Sequence, residues 1–313
     1  MDMILKIKIK NKRYSKILYV ESIYSLSLYN YYNNNNLDDT LIISSKGVFP
    51  LRLIDGFTNY IELNNNLDNV SRIEYIMLSH GFLPNRFKSI KKYLYKNAEY
   101  YGHDHIKFSA LFFKKNMILV EDGTKNYFYK KRIKDIFWRF LGVPFPLMGY
   151  SDNVKSIIMT GLMDIPEKIK NKVLLIDKDN YLKSLPLLNN GLYTCDYNEE
   201  SYFTLIITQP LSEDKIISEK EKIDLYRRYV EKESNHVVIK SHPRERTKYG
   251  HYFEDATILD PTCLVESLVY NEKLKKVITV RSTAIESFYK RDDIEIIKIN
   301  INKYCSLIDF FGG

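Results

Sequence analysis

Three polar clusters stand where apolar runs end. Glu121-Asp122-Gly123 follows Met117-Ile118-Leu119-Val120, Ser241-His242-Pro243 follows Val237-Val238-Ile239-Lys240, and Ser282-Thr283 closes the stretch that begins at Lys276. A carboxylate at a strand tip can take the proton of a hydroxyl nucleophile, and a second acid beside it, or partial burial, raises its pKa and makes it a better base. Gly123 lets the chain turn away without a side chain in the site. A histidine in the second position can donate to a phosphate oxygen or protonate a departing one. Pro243 fixes the backbone after it, and Arg244 and Arg246 add positive field. Ser282 and Thr283, opening a helix, offer hydroxyls and free backbone N–H groups to an anion. Each cluster also has a plainer reading: a turn with a cap, a solvated basic loop, and a capping box in "STAIE". Together they point to a site, because ligands of open parallel sheets bind beyond the carboxyl ends of the strands.

The elements that must position them are short apolar strands alternating with helical stretches. In the first half the strand-like runs are 16–20, 40–44, 73–78 and 116–123, and Ile7 and Ile9 alternate with Lys6, Lys8 and Lys10 in a further strand pattern near the start. In the second half they are 156–161, 204–210, 236–243, 256–260, 276–282 and 294–299. Residues 213–233 place Ile216, Ile217, Ile223, Leu225, Tyr229 and Val230 among charges, an amphipathic helix; 84–97 and 282–291 read similarly. Strands alternating with helices make parallel βαβ units, and 313 residues suit two domains. The expected boundary follows the aromatic, proline-containing segment 136–150, giving domains 1–152 and 153–313. "NYYNNNN" (30–36) reads as a loop or frayed helix end.

Composition narrows the function classes. Lys+Arg exceed Asp+Glu by 47 to 39, a net charge of +8 that suits anionic partners without choosing one. The cations are interleaved with acids, as in "SEDKIISEKEKID", and this argues against a nucleic-acid surface despite 26 tyrosines. No apolar run approaches the ~18 residues of a spanning helix. Cys195, Cys263 and Cys305 form no C-x-x-C pair and are odd in number, which argues against a disulfide framework or structural zinc and for a reducing compartment. His103 and His105 in "GHDHIKF" have the look of a metal pair, but the sequence shows no third ligand, so the reading is of incidental histidines.

"EDG" at 121–123, "HP" at 242–243 and "ST" at 282–283, in this order, with "TQPLSED" at 208–214, resemble the motifs of bacterial GT-B sialyltransferases, above all glycosyltransferase family 52. The resemblance implies an α/β GT-B fold of two Rossmann-like domains with parallel sheets facing a central cleft. It implies an inverting, metal-independent transferase that moves sialic acid from CMP-sialic acid to a terminal galactose of a lipooligosaccharide or capsular glycan, with no cofactor. The N-terminal domain would take the acceptor and the C-terminal domain the CMP-sugar. Asp122 or Glu121 would be the general base and His242 would hold or protonate the leaving phosphate. Ser282, Thr283, Pro243, Gln209 and Gly123 would shape the donor site, Glu266 would accept from the ribose hydroxyls, and Asp214 is a further acid. His80-Gly81 and residues 83–87 would line the acceptor side. A cytoplasmic, peripherally membrane-attached homodimer is also implied. The rival within the same resemblance is a glucosyltransferase or a transferase of another nonulosonic acid.

Overall fold

The structure, a computed structural model, describes residues 4–10, 14–64, 70–94, 97–128, 133–144, 147–195, 197, 201–280 and 282–301. The chain divides into two compact units, Met1–Leu192 and Tyr193–Gly313.

The first unit is built on β1 (Ile4–Ile9), β2 (Lys16–Tyr19), β3 (Thr40–Ser45), β4 (Asn59–Leu63), β5 (Glu99–Gly102), β6 (Met117–Val120), β7 (Val154–Met159) and β8 (Val173–Leu175). They form one sheet in the order β1-β4-β3-β2-β5-β6-β7-β8, parallel except for β1, which pairs antiparallel with β4. The parallel series starts at β2, builds outward to β4, then returns to add β5 on the other side of β2. This doubly wound reversal puts a switch point between β2 and β5. Strands β3 and β6 are buried along their whole length, as parallel strands covered on both faces must be.

The second unit carries β9 (Phe203–Ile207), β10 (His236–Lys240), β11 (Thr257–Leu259), β12 (Leu274–Thr279) and β13 (Glu295–Lys298), all parallel, in the order β11-β10-β9-β12-β13. The winding repeats, with the switch point between β9 and β12. Leu205, Ile206, Val238, Ile239, Val277 and Ile278 are fully or nearly fully buried, each side chain stabilising the unit by about 1.5–3 kcal/mol relative to exposure.

Four expectations change. The division falls at 192/193 rather than at 152/153, because β7 pairs with β6 and β8 with β7, so that the chain past residue 153 still completes the first sheet. Residues 73–78, expected as a strand, lie in the helix Arg72–Ser79. Ser71 Oγ accepts from Glu74 N at 3.2 Å and Glu74 accepts from Ser71 N at 2.9 Å, a reciprocal capping box, and Tyr75, Leu78 and Ser79 turn inward. Residues 85–93 and 283–287 wind as 3-10 turns rather than α-helices. Finally, Cys195 and Cys263 form a disulfide with Cα atoms 4.9 Å apart, which removes the cysteine-based argument for a reducing compartment. A parallel bridge between Thr194 and Leu264 lines up the neighbouring residues, a proximity that spacing in sequence does not reveal. Cys305 lies outside the described residues. The helix expected over 213–233 spans Glu219–Val230, capped by Ser218 and Glu221. Among the described residues no helix is long and apolar enough to cross a membrane.

Candidate active site

The loops that follow β9, β10 and β12 carry the residues that the sequence singled out in the second unit. Thr208 to Ser218 follow β9, Ser241 to Lys248 follow β10, and Ser282 and Thr283 lie beyond β12. Helix Glu219–Val230 packs Lys222, Ile223, Leu225 and Tyr226 inward beneath the first two loops.

His242 stands on the β10 loop with both ring nitrogens in distinct roles. Its Nδ1 accepts from Arg244 N at 3.1 Å, so the neutral ring carries its proton on Nε2. Burial, then the charges of Arg244 and Lys240, lower its pKa to about 4. The imidazole is therefore neutral at pH 7 and presents an N–H donor. The loop is closed on itself, with His242 N donating to Glu245 Oε2 at 2.7 Å and Glu245 N to His242 O at 2.9 Å.

Glu245 is the anchor of that turn, and its side chain is wholly buried. Besides His242 N, it accepts from the hydroxyls of Thr208 and Tyr249. Its counter-charge is Lys222, also wholly buried, whose Nζ lies 3.7 Å from Glu245, 3.0 Å from Glu213 and 3.2 Å from Glu219. Glu213 extends the clasp: its Oε1 accepts from Arg246 N at 2.7 Å. Burial works to raise the Glu213 pKa, but the Arg246 N–H and Lys222 outweigh it and hold the carboxyl at about 2. Thr247 Oγ1 donates to Glu219 at 2.6 Å. The Lys222 ammonium thus joins the β9 loop, the β10 loop and the helix, and the bonds of Thr208, Arg246 N and Thr247 link them directly as well. The sequence analysis singled out neither Lys222 nor Glu245; the four-residue interval from Lys222 to the buried Tyr226 is the signal of its inward position.

Asp214 and Arg244 form the outer rim. Arg244 Nη1 and Nη2 reach Asp214 Oδ1 and Oδ2 at 2.7 and 3.0 Å, a two-point pair between largely exposed side chains. With Glu213 and Arg246 they line a cavity of about 410 Å³. Gln209 N donates to Tyr226 OH at 2.9 Å, and its side chain folds onto the Thr208 carbonyl. Pro243 is exposed at the tip of its loop. Ser282 Oγ accepts from Ala284 N at 3.3 Å, while Thr283 begins a five-residue 3-10 turn, so the long helix terminus expected there is replaced by a shorter capped turn. Glu266 is buried beneath the β10 tip and favours the charge on Lys240. Lys240, which sequence reasoning did not single out, donates to the carbonyls of Ser241 and Pro261 at 2.9 and 2.8 Å; burial lowers its pKa to about 8.

The acidic pair lies in the first unit, where its two members part ways. Glu121 has no exposed surface. Its oxygens accept from Tyr24 OH at 2.6 Å, Tyr127 OH at 2.8 Å, and Thr160 N and Oγ1 at 2.7 and 3.0 Å. A carboxylate so occupied ties β6 to β7 and to helix Ile23–Tyr32, and is not open to a hydroxyl nucleophile as the base expected of Glu121 would have to be. Asp122 is partly exposed; its Oδ2 lies 3.2 Å from His105 Nε2 and 3.4 Å from Lys125 Nζ. Burial pushes its pKa up, but the histidines and Lys125 hold it well below the ordinary carboxylate range, which weakens it as a base. Gly123 has φ 61°, as the turn after Asp122 requires. His80 closes the helix Arg72–Ser79, with Nε2 3.0 Å from Leu141 O.

Two doubly wound units in one chain define the GT-B class of nucleotide-sugar enzymes. In keeping with this, the UDP co-structure of MnaA from S. aureus superposes with a TM-score of 0.50 over 92% of this chain and 80% of that one, at 12% identity, a likeness of fold alone. A UDP-GlcNAc 2-epimerase from Methanocaldococcus jannaschii gives a TM-score of 0.45 at 12% identity, covering 93% and 91%. An uncharacterised protein of Haemophilus influenzae is 38% identical over 202 residues, which is 61% of this chain and 65% of that relative. The model of glycosyltransferase family 52 matches residues 57–303, well over half of the sequence. The chain belongs to glycosyltransferase family 52.

Replacing Lys222 by Met leaves Glu245 and Glu213 buried without their counter-charge. The expected cost is about 3–5 kcal/mol, read as a lowered urea midpoint. The acid limb moves as well. Glu213, at about 2 in the folded chain against an ordinary 4.5, adds stability that is present above pH 4.5 and lost as pH falls toward 2. In Lys222→Met the folded carboxyl moves back toward its ordinary value, so that this loss is smaller and is complete at higher pH. A variant as stable as the parent, with an unchanged acid limb, would show that Lys222 is not the clasp.

Proposed function

We propose that this chain is an inverting sialyltransferase that transfers sialic acid from CMP-sialic acid to a terminal galactose of a lipooligosaccharide or capsular glycan. The observation that carries this reading is His242: a neutral imidazole at the carboxyl end of β10, its Nδ1 already occupied, with Nε2–H left to meet an anion beside Arg244. CMP departs as a single phosphate, so one hydrogen-bond donor that becomes an acid, with nearby cations and the hydroxyls of Ser282 and Thr283, can offset the charge that develops. The sugar carboxylate of the same donor suits the guanidinium of Arg244. Donor binding then competes with Asp214 for Arg244 and releases a carboxylate at the rim of the cavity. Asp214 is accordingly assigned as the base that deprotonates the acceptor hydroxyl, in preference to the occupied Glu121 and the acid-shifted Asp122. Glu266 and Gln209 are assigned to the nucleotide. The runner-up, transfer of glucose or of another nonulosonic acid, shares this fold and differs in the nucleotide or sugar bound.

The reading includes a homodimer on the cytoplasmic face of a membrane. Support for membrane contact comes from the packed helices Arg72–Ser79 and Ile133–Phe140, joined by the Tyr75 and Trp138 rings at 5.6 Å. Ile73 is 73% exposed and Phe140 87%, with Phe82 and Phe137 also exposed, and Arg72 and Arg139 adjacent in sequence. Phe137→Ser with Phe140→Ser is expected to reduce cosedimentation with anionic vesicles; unchanged sedimentation would remove this surface from the reading.

Calorimetric titration with CMP, UMP and UDP tests the donor class. Binding selective for CMP is expected, and preference for UDP would favour the glucosyl reading. Because a bound phosphate raises a histidine pKa that starts near 4, CMP binding at pH 7 should take up protons, measured in buffers of different ionisation enthalpy, and His242→Gln should not. Equal uptake by both proteins would overturn the role of His242. Asp214→Asn is expected to lower kcat by about 10²–10⁴ with little change in CMP affinity. Activity within a few-fold of the parent would return the base to another acid.

A further inference from the structure

The two histidines that the sequence left without a third ligand acquire one in the fold. His103 and His105 follow β5, and Asp122 follows the adjacent strand β6, beside the switch point of the first unit. One nitrogen of each histidine and a carboxylate oxygen of Asp122 all lie within 4.8 Å of one another. The histidine rings are 5.4 Å apart between centroids.

We propose that His103, His105 and Asp122 bind a divalent transition-metal ion of the zinc type. Two imidazoles and one carboxylate are the donor set that suits Zn²⁺ or Co²⁺ better than the all-oxygen preference of Mg²⁺ or Ca²⁺.

The strongest support is the state of His103. Only 2% of it is exposed, and its Nε2 is buried without a hydrogen-bond partner. Its hydrogen bond runs instead to the backbone of Val120. The other ring nitrogen, Nδ1, therefore donates to the Val120 carbonyl and leaves Nε2 with an unpaired lone pair. A metal-ligating histidine is oriented in this way, its second nitrogen held by a backbone carbonyl. An unpaired imidazole nitrogen in a dry site costs free energy that a metal bond would recover.

Geometry and backbone agree. Metal–ligand bonds of about 2.0–2.1 Å in a tetrahedron place ligand atoms roughly 3.3–3.4 Å apart. His105 Nε2 and Asp122 Oδ2 already stand at 3.2 Å, so the site closes by a modest approach of His103. The loop is pinned by the residue between the histidines. Asp104, 1% exposed, accepts from Met148 N at 2.7 Å and Gly149 N at 2.8 Å. Gly102, at φ 150°, ends β5 where a Cβ would stand 2.2 Å from the Tyr19 carbonyl oxygen, so the approach of β5 to β2 that delivers His103 requires glycine. Glu121 is turned to other partners and does not ligate. Lys125 Nζ, 3.4 Å from Asp122 and more than half exposed, has room to leave when a cation arrives. Three protein ligands leave a fourth position open to water or a substrate oxygen.

This inference departs from the expected metal independence and does not rest on the identity of the sugar donor, because binding is read directly. The untagged full-length chain, stripped of metal, is titrated with Co²⁺ and Zn²⁺, and its folding is checked by circular dichroism. One equivalent per chain is expected, with the strong visible absorption of tetrahedral Co²⁺, displaced by Zn²⁺. His105→Gln, at a partly exposed position, and Asp122→Asn should each weaken binding about 100-fold or more. Failure of the folded chain to bind either ion, or affinity equal to the parent's in both variants, overturns the proposal whatever the nucleotide titrations show.

Discussion

The buried ammonium of Lys222 is the constraint on which the second unit's site depends. Desolvating a cation costs several kcal/mol, and here the cost is offset only because three carboxylates from three segments converge on it. Two of those carboxylates are already committed to the backbone of the β10 loop, Glu245 to His242 N and Glu213 to Arg246 N. The charge pairing and the direction of the histidine are therefore one arrangement. Neither loop has regular secondary structure to hold it, so side-chain electrostatics do what backbone ladders do elsewhere in the unit.

The two units apply the same topology to different ends. Both reverse their winding beside the first strand of their parallel series, and both place polar residues beyond the strand ends at that reversal. In the second unit Glu213, Asp214, Arg244 and Arg246 of the β9 and β10 loops line a cavity, with Arg244 and Asp214 paired at its rim. In the first, one acid is drawn inward to satisfy Tyr24, Tyr127 and Thr160, while the next joins a pair of histidines. Adjacent residues at a strand end point in different directions. An acidic pair thus supplies one structural and one chemical carboxylate.

Much of the fold was legible because buried parallel strands are continuous apolar runs. The stretches around Ile42, Leu119, Ile206, Ile239 and Ile278 all lie in strands. Residues 73–78 misled because a short apolar run fits a strand or a buried helix face, and the Ser71–Glu74 capping box decides between them. β4, β5 and β8 escaped notice: Asn59 and Glu62 interrupt the first, and the other two span only four and three residues. The domain boundary was placed too early because a proline-containing segment marks a break in the chain, whereas the sheet continues past it through β7 and β8.

By itself the sequence determined the classes of residue at the strand ends, the alternation of apolar runs with helical stretches and the positions of His242, Asp122 and Asp214 at its loops. These are local properties, fixed by side-chain type and period. Tertiary structure alone decided which charges are buried, which thiols meet and which histidines gain a ligand. Lys222 and Glu245 are 23 residues apart, His103 and Asp122 are 19, and Cys195 and Cys263 are 68. The first two pairs are brought together by strands adjacent in a sheet, and strand order is set by the burial of whole faces rather than by any residue within them; the cysteines meet beside the Thr194–Leu264 bridge.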